Sequence, residues 1–150
     1  MEQRMSLKRF WNDRKGTSFI ETAILVPVML LLWCGTMDFA RVVYAGMEVA
    51  SAARAGVQYG ALTPGHSGDT TGMSTAAKAD AADLGTAVTA TASNYCTCSG
   101  STTACTSTCS GVKPNGYVSV TANYTFNTLI PYPGVPQSVV LSRTAKMRVQ

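Results

Sequence analysis

Charge is what this sequence has least of. Charged side chains make up 13% of its 150 residues, roughly half the usual share of about 25% in soluble domains. Histidine occurs once, as His66 in the loop "ALTPGHSGDTTGM". A lone imidazole with no carboxylate or thiol nearby makes neither a triad nor a metal site. The glycines of that loop are followed by no Lys-Ser/Thr pair, so they do not form a phosphate-cradling P-loop. Asp80 and Asp83 lie one helical turn apart with no apolar pocket to separate their pKa values, and read as a solvated face. No nucleophile is accompanied by a base. These absences argue against an enzyme, a cofactor and a small-molecule substrate.

What is abundant is apolar: 46% of the residues are hydrophobic. From Phe19 to Met37 the only charged residue is Glu21, a stretch close to the roughly 20 residues that span a bilayer as a helix. Such a helix satisfies its own backbone hydrogen bonds, so lipid tolerates it. The formal net charge of +4 is uneven. Arg4, Lys8, Arg9, Arg14 and Lys15 outweigh Glu2 and Asp13 just before the apolar run. Because that basic cluster abuts the run, it fits a cytoplasmic membrane flank and not a nucleic-acid footprint. It predicts a single-pass protein of the inner (cytoplasmic) membrane, N-terminus in the cytoplasm and C-terminal domain outside. A cleaved secretory signal would end in an A-x-A-like site, which the run into Met37, Asp38, Phe39 and Ala40 lacks.

Helical spacing continues past the apolar run. Ala40, Val43, Tyr44, Met47, Ala50, Ala53 and Val57 recur at three and four residues, and no decisive breaker occurs before Gly60 and Pro64. One long helix is expected, with Pro27 bending its apolar half. The expected divisions are a basic leader over 1–16, a transmembrane helix over 17–38, an amphipathic continuation over 39–62, and an exported α+β domain over 63–150. Within that domain a short helix is expected over Ser74–Leu84, capped by Ser74. Alternation makes Tyr117–Phe126 a half-buried strand, with Val118, Val120, Ala122, Tyr124 and Phe126 on one face. A second strand covers about Ser138–Val149, where Arg143 is a misfit on the apolar face. The prolines of "LIPYPGVPQ" preclude a tight hairpin between them. The two form an antiparallel pair on the exposed half of the long helix, and a third strand or the helix must cover one face.

"NYCTCSGSTTACTSTCSG" carries Cys96, Cys98, Cys105 and Cys109. Zinc is the competing reading, but C-x-C is tight for one ion. On the outer side of a membrane disulfides persist, so two disulfides pinning the loop 96–109 are favoured over metal, each contributing about 2–4 kcal/mol. A Cys96–Cys98 bond is the least favoured pairing; the other two pairings stay open. Cys34 falls in the membrane segment as an inert thiol.

Glu21 remains to be explained. A charge in a membrane helix costs about 2.5–3.5 kcal/mol near its centre and is usually kept for a partner. The order of basic residues, Gly16, four residues, Glu21 and an apolar helix resembles the class III signal of type IV pilins and pseudopilins. The longer stretch "GTSFIETAILVPVMLLLWCGTMDFARVVYAGMEVASAARAGVQYGAL" resembles the N-terminal region of TadE-like proteins of the tight-adherence (Flp pilus) secretion system. Carried over by position are Gly16, Glu21, Pro27 and Asp38. The resemblance implies a type IV pilin-like fold: a single long N-terminal helix packed on a small antiparallel sheet, in the α+β class. It implies cleavage by a prepilin peptidase after Gly16, leaving Thr17 as the new N-terminus. It implies that Glu21 meets the terminal amine of a neighbouring subunit, where each charge relieves the other's desolvation. The implied role is a membrane-anchored minor pseudopilin, a structural component of pilus assembly. Its implied partners are other pseudopilins, the assembly machinery and the bilayer, with no nucleic acid. The alternative is an uncleaved signal-anchored envelope domain that binds another envelope protein.

Overall fold

The structure is a computed structural model that describes residues 17–132 and 134–149. The leader over 1–16 lies outside the described residues. The chain divides into two compact units, one reaching Phe39 and the other beginning at Ala40. Helix α1 spans Thr17–Ala61 without interruption and includes Pro27, close to the extent that the spacing predicts.

In the first unit, α1 displays its apolar side chains on every side. Ile20, Ile24, Leu25, Leu31 and Trp33 are all more than half exposed. A helix apolar all round belongs in an apolar surrounding. Among the described residues it is one helix long and apolar enough to cross a membrane.

The second unit is the remainder of α1, a short helix and a four-stranded antiparallel sheet. Helix α2 covers Thr70–Asp80. The strands are β1 (Thr89–Cys98), β2 (Ser101–Thr103), β3 (Asn115–Asn127) and β4 (Ser138–Arg148), ordered β2-β1-β3-β4 in space. The β3–β4 register pairs Tyr117 with Arg148 and Asn127 with Ser138. Their connection is long, as its prolines require, and closes where Thr128 N–H donates to the Gln137 carbonyl at 3.0 Å.

The inner face of β3 carries Val118, Val120, Ala122 and Phe126, all buried, as its alternation predicts. The outer face is polar, with Thr121 and Thr144 joined across strands at 2.8 Å and Tyr95 stacked on its register partner Tyr117. Arg143 stands opposite Ala122 on the inner side but is exposed, because β4 is an edge strand that the helices cover only in part.

The helix face that meets the sheet is only partly the expected one: Ala53 and Val57 of the spacing pattern lie on it, and the large residues at its N-terminal end do not. Ala45, Val49, Ala52, Ala53, Gly56, Val57 and Gly60 are buried, whereas Val43, Tyr44 and Met47 are exposed. Positions two removed from Ala45 lie about 200° round the helix, so Val43 and Met47 point away from the sheet. Size decides the choice. A Cβ on Gly56 would lie 2.9 Å from the Met73 carbonyl oxygen and 3.0 Å from Val120 Cγ1. Only small residues let α1 approach both α2 and β3 this closely.

Helix α2 also starts earlier than expected. Its cap is Asp69, not Ser74: Asp69 Oδ1 accepts from Gly72 N–H at 2.8 Å. Asp69 Oδ2 accepts from the Tyr59 hydroxyl at 2.9 Å, so the cap also ties α2 to the end of α1. These donors, the Gly72 N–H first, hold the Asp69 carboxyl below its ordinary value. A carboxylate with a depressed native pKa stabilises fully above its unfolded value and loses that contribution as pH falls through the native one. Asp69→Asn keeps a capping oxygen. Its unfolding midpoint should therefore fall less steeply than wild type below about pH 4 in pH-resolved thermal melts.

Candidate functional site

Three features carry the candidate chemistry. The first is the start of α1. Gly16 lies outside the described residues; Thr17, the first described residue, is already helical. Glu21 stands exposed in the second turn, with Phe19, Ile20, Ile24 and Leu25 exposed around it. The helix presents this carboxylate from an otherwise apolar cylinder.

The second is the cysteine segment, which belongs to the second unit. Cys96 bonds Cys105, and Cys98 bonds Cys109, with Cα separations of 5.1 and 5.6 Å. This is one of the two pairings that the sequence leaves open. Two short turns explain how the segment reaches it. Ser99 and Gly100 both have positive φ, as do Ser110 and Gly111. Positive φ at both central residues is the two-residue hairpin geometry that matches strand twist. The first turn joins β1 to β2, pairing Cys98 with Ser101. The second closes on the Cys109–Val112 bridge, with hydrogen bonds of 2.7 and 3.1 Å in the two directions. Each turn follows a cysteine in the same tripeptide, Cys-Ser-Gly, and the Cys98–Cys109 bond joins the two. That repeated tripeptide is the sequence signal for these turns. Replacing Cys98 and Cys109 together by serine should lower unfolding stability by about 2–4 kcal/mol; a chemical denaturation series on the full chain measures it.

The third is the exposed side of α1 within the second unit. Tyr44 Oη approaches Asp83 Oδ2 at 3.3 Å, and the charge of Glu48, then that of Asp83, pushes the Tyr44 hydroxyl above its ordinary pKa. Two carboxylates therefore border the exposed Tyr44 on this side of the domain. Arg41 lies over the Phe126 ring, 5.1 Å from its centroid, at the far end of β3.

His66 occupies a single 3₁₀ turn over His66–Gly68. Its ring packs on Tyr59 with centroids 4.7 Å apart, and its Nδ1 lies 3.2 Å from Thr63 Oγ1. The imidazole thus braces the turn after α1. An open cleft of about 440 Å³ lies beside it, reaching Ser67, Asn94 and Lys113. Among the described residues that line it, the charged one is Lys113.

Residues 16–58 match the family model described as TadE-like protein. The match begins at Gly16 and includes Glu21 and most of α1. No curated protein and no solved structure matches the chain.

Proposed function

A chain that is TadE-like from residue 16 to residue 58 is, we propose, a membrane-anchored minor pseudopilin that serves as a structural component of tight-adherence (Flp) pilus assembly. The observation that carries this reading is the agreement of the family match with the sequence pattern: the match starts at Gly16, and Glu21, the only charged residue between Phe19 and Met37, follows five residues later on an apolar helix.

In this reading the apolar unit of α1 sits in the inner membrane with the basic leader on the cytoplasmic side. A prepilin peptidase cuts between Gly16 and Thr17, where the absence of a side chain admits an extended backbone into a protease groove. The new α-amine of Thr17 and the Glu21 carboxylate of a neighbouring pseudopilin then pair. In low dielectric that attraction is strong, and either charge alone is costly. The second unit is carried to the outer side, where Cys96–Cys105 and Cys98–Cys109 persist. The chemistry of the protein is association; it transforms no small molecule.

N-terminal sequencing of protein recovered from membranes tests this. With the peptidase present the chain should begin at Thr17; without it, Met1 should precede the intact leader. A chain that keeps its leader in cells holding the active peptidase would overturn the reading and leave a permanent signal anchor.

A further inference from the structure

The second unit has two unpartnered flanks of opposite character. On one, α1 turns Val43, Tyr44 and Met47 outward, with Met47 59% exposed, beside Glu48 and Asp83. On the other, β4 is an edge strand whose inner face the helices leave half covered: Val139 and Met147 are each 38% exposed, with Arg143 exposed between them.

Carboxylates are divided in the same way, although cations (Arg41, Arg54 and Lys78 among them) occur in the helical part as well. After Asp83 the sequence contains no Asp or Glu, yet it contains Lys113, Arg143, Lys146 and Arg148. Every charged side chain of the sheet is thus cationic, and the carboxylates of the second unit are confined to the helical part.

We propose that the β4 flank of one copy receives the outward face of α1 from a second copy, Arg143 meeting Glu48 while Val139 and Met147 cover Val43 and Met47. Each surface supplies what the other lacks: an apolar strip interrupted by a guanidinium meets an apolar helix face edged by carboxylate. Pairing β4 with another β4 would set Arg143, Lys146 and Arg148 against themselves, and basic residues on an edge strand discourage strand addition. The Arg143 side chain also donates to the carbonyl of Ser142 at 3.0 Å, occupying its own strand's backbone. Docking through side chains is therefore favoured over extension of the sheet. Because the two surfaces differ, the contact is heterologous: it propagates from copy to copy instead of closing on a pair. This inference rests on the assembly reading above and names the surfaces by which copies meet.

Cross-linking of the full chain in native membranes, in a Cys34→Ser background, is the test. A short bismaleimide should join copies of the Met47→Cys, Val139→Cys double variant into a ladder of dimers, trimers and larger species. Either single variant should stay monomeric. Adding Arg143→Glu should weaken the ladder about tenfold, since like charges then face each other, and adding Glu48→Arg as well should restore it. Non-reducing mass measurement should find both native disulfides in every variant, which separates lost contact from lost folding. Dimers formed by Met47→Cys alone, an adduct whose mass is no multiple of the chain, or a ladder indifferent to Arg143→Glu would each overturn the proposal. Cleavage after Gly16 without a ladder sinks this contact alone. A ladder on uncleaved chains leaves the contact standing and sinks the processing reading.

Discussion

Truncating Met73 to alanine is expected to destabilise the second unit by about 2–5 kcal/mol. That is a large part of the roughly 5–15 kcal/mol that holds a typical domain folded. Met73 is fully buried and packs with Val57, Ala77, Val118 and Val120, where α1, α2 and β3 meet. Few other side chains of its size are completely enclosed; the rest of the core is largely valine and alanine. The cavity it leaves is therefore lined by short side chains with little reach to fill it. A second substitution identifies the mechanism. A Cβ on Gly60 would run into the Met73 thioether, so Gly60→Ala should destabilise the wild type. In the Met73→Ala background the same methyl group should enter the vacated space and recover part of the loss. Urea denaturation of the four proteins gives the coupling directly. Simple addition of the two losses would show that Gly60 and Met73 do not share the site.

Replacing Glu21 by leucine is expected to abolish pilus-dependent adhesion while leaving the protein in the membrane at wild-type level. Membrane insertion should become no harder, because an ionisable side chain within a spanning helix carries a desolvation cost that leucine does not. The loss is confined to association: the Thr17 amine of a neighbouring subunit would be left desolvated without its counter-charge, and breaking a buried pair costs about 3–5 kcal/mol. Co-purification of sister pseudopilins with a tagged chain should fall in parallel with adhesion. Glu21→Gln, which keeps the shape and removes the charge, should behave as the leucine variant does. Adhesion preserved in both variants would remove the carboxylate from the account.

Parts of this fold are legible in the sequence because their periodicity is long and unambiguous. Helix α1 and strands β3 and β4 are of this kind: large apolar residues return at fixed spacing over ten or more positions. Strand β1 is not. Its sequence "TATASNYCTC" places Ala90 and Ala92 on the covered side, and alanine alternating with threonine hardly differs from a polar linker. Its strand identity comes from pairing with β3, a tertiary effect. The face of α1 is only partly legible. The spacing pattern rightly includes Ala53 and Val57, which are buried, but it also admits Val43, Tyr44 and Met47, which close approach turns outward. The start of α2 lies in what reads as a glycine loop, where Asp69 is an N-cap that only its bond to Gly72 reveals. The site divides similarly. Gly16, Thr17 and Glu21 stand out because their order resembles a class III signal, and the family match over residues 16–58 spans all three. The cysteine partners do not, because spacing permits two pairings, and the turns at Ser99-Gly100 and Ser110-Gly111 decide between them.

The order of strands in the sheet has a kinetic consequence. Strands β3 and β4 follow one another in the chain and can zip together once a single connection closes. Strand β1 must wait for β3, which lies beyond the whole cysteine segment, and longer closures cost more entropy before they yield contacts. Cross-linking Cys98 to Cys109 gathers that intervening stretch into a compact knot and shortens the distance β1 must search. Oxidation should therefore accelerate the last docking step as well as strengthen its product. Refolding from the reduced state should show a slow phase that the oxidised chain lacks.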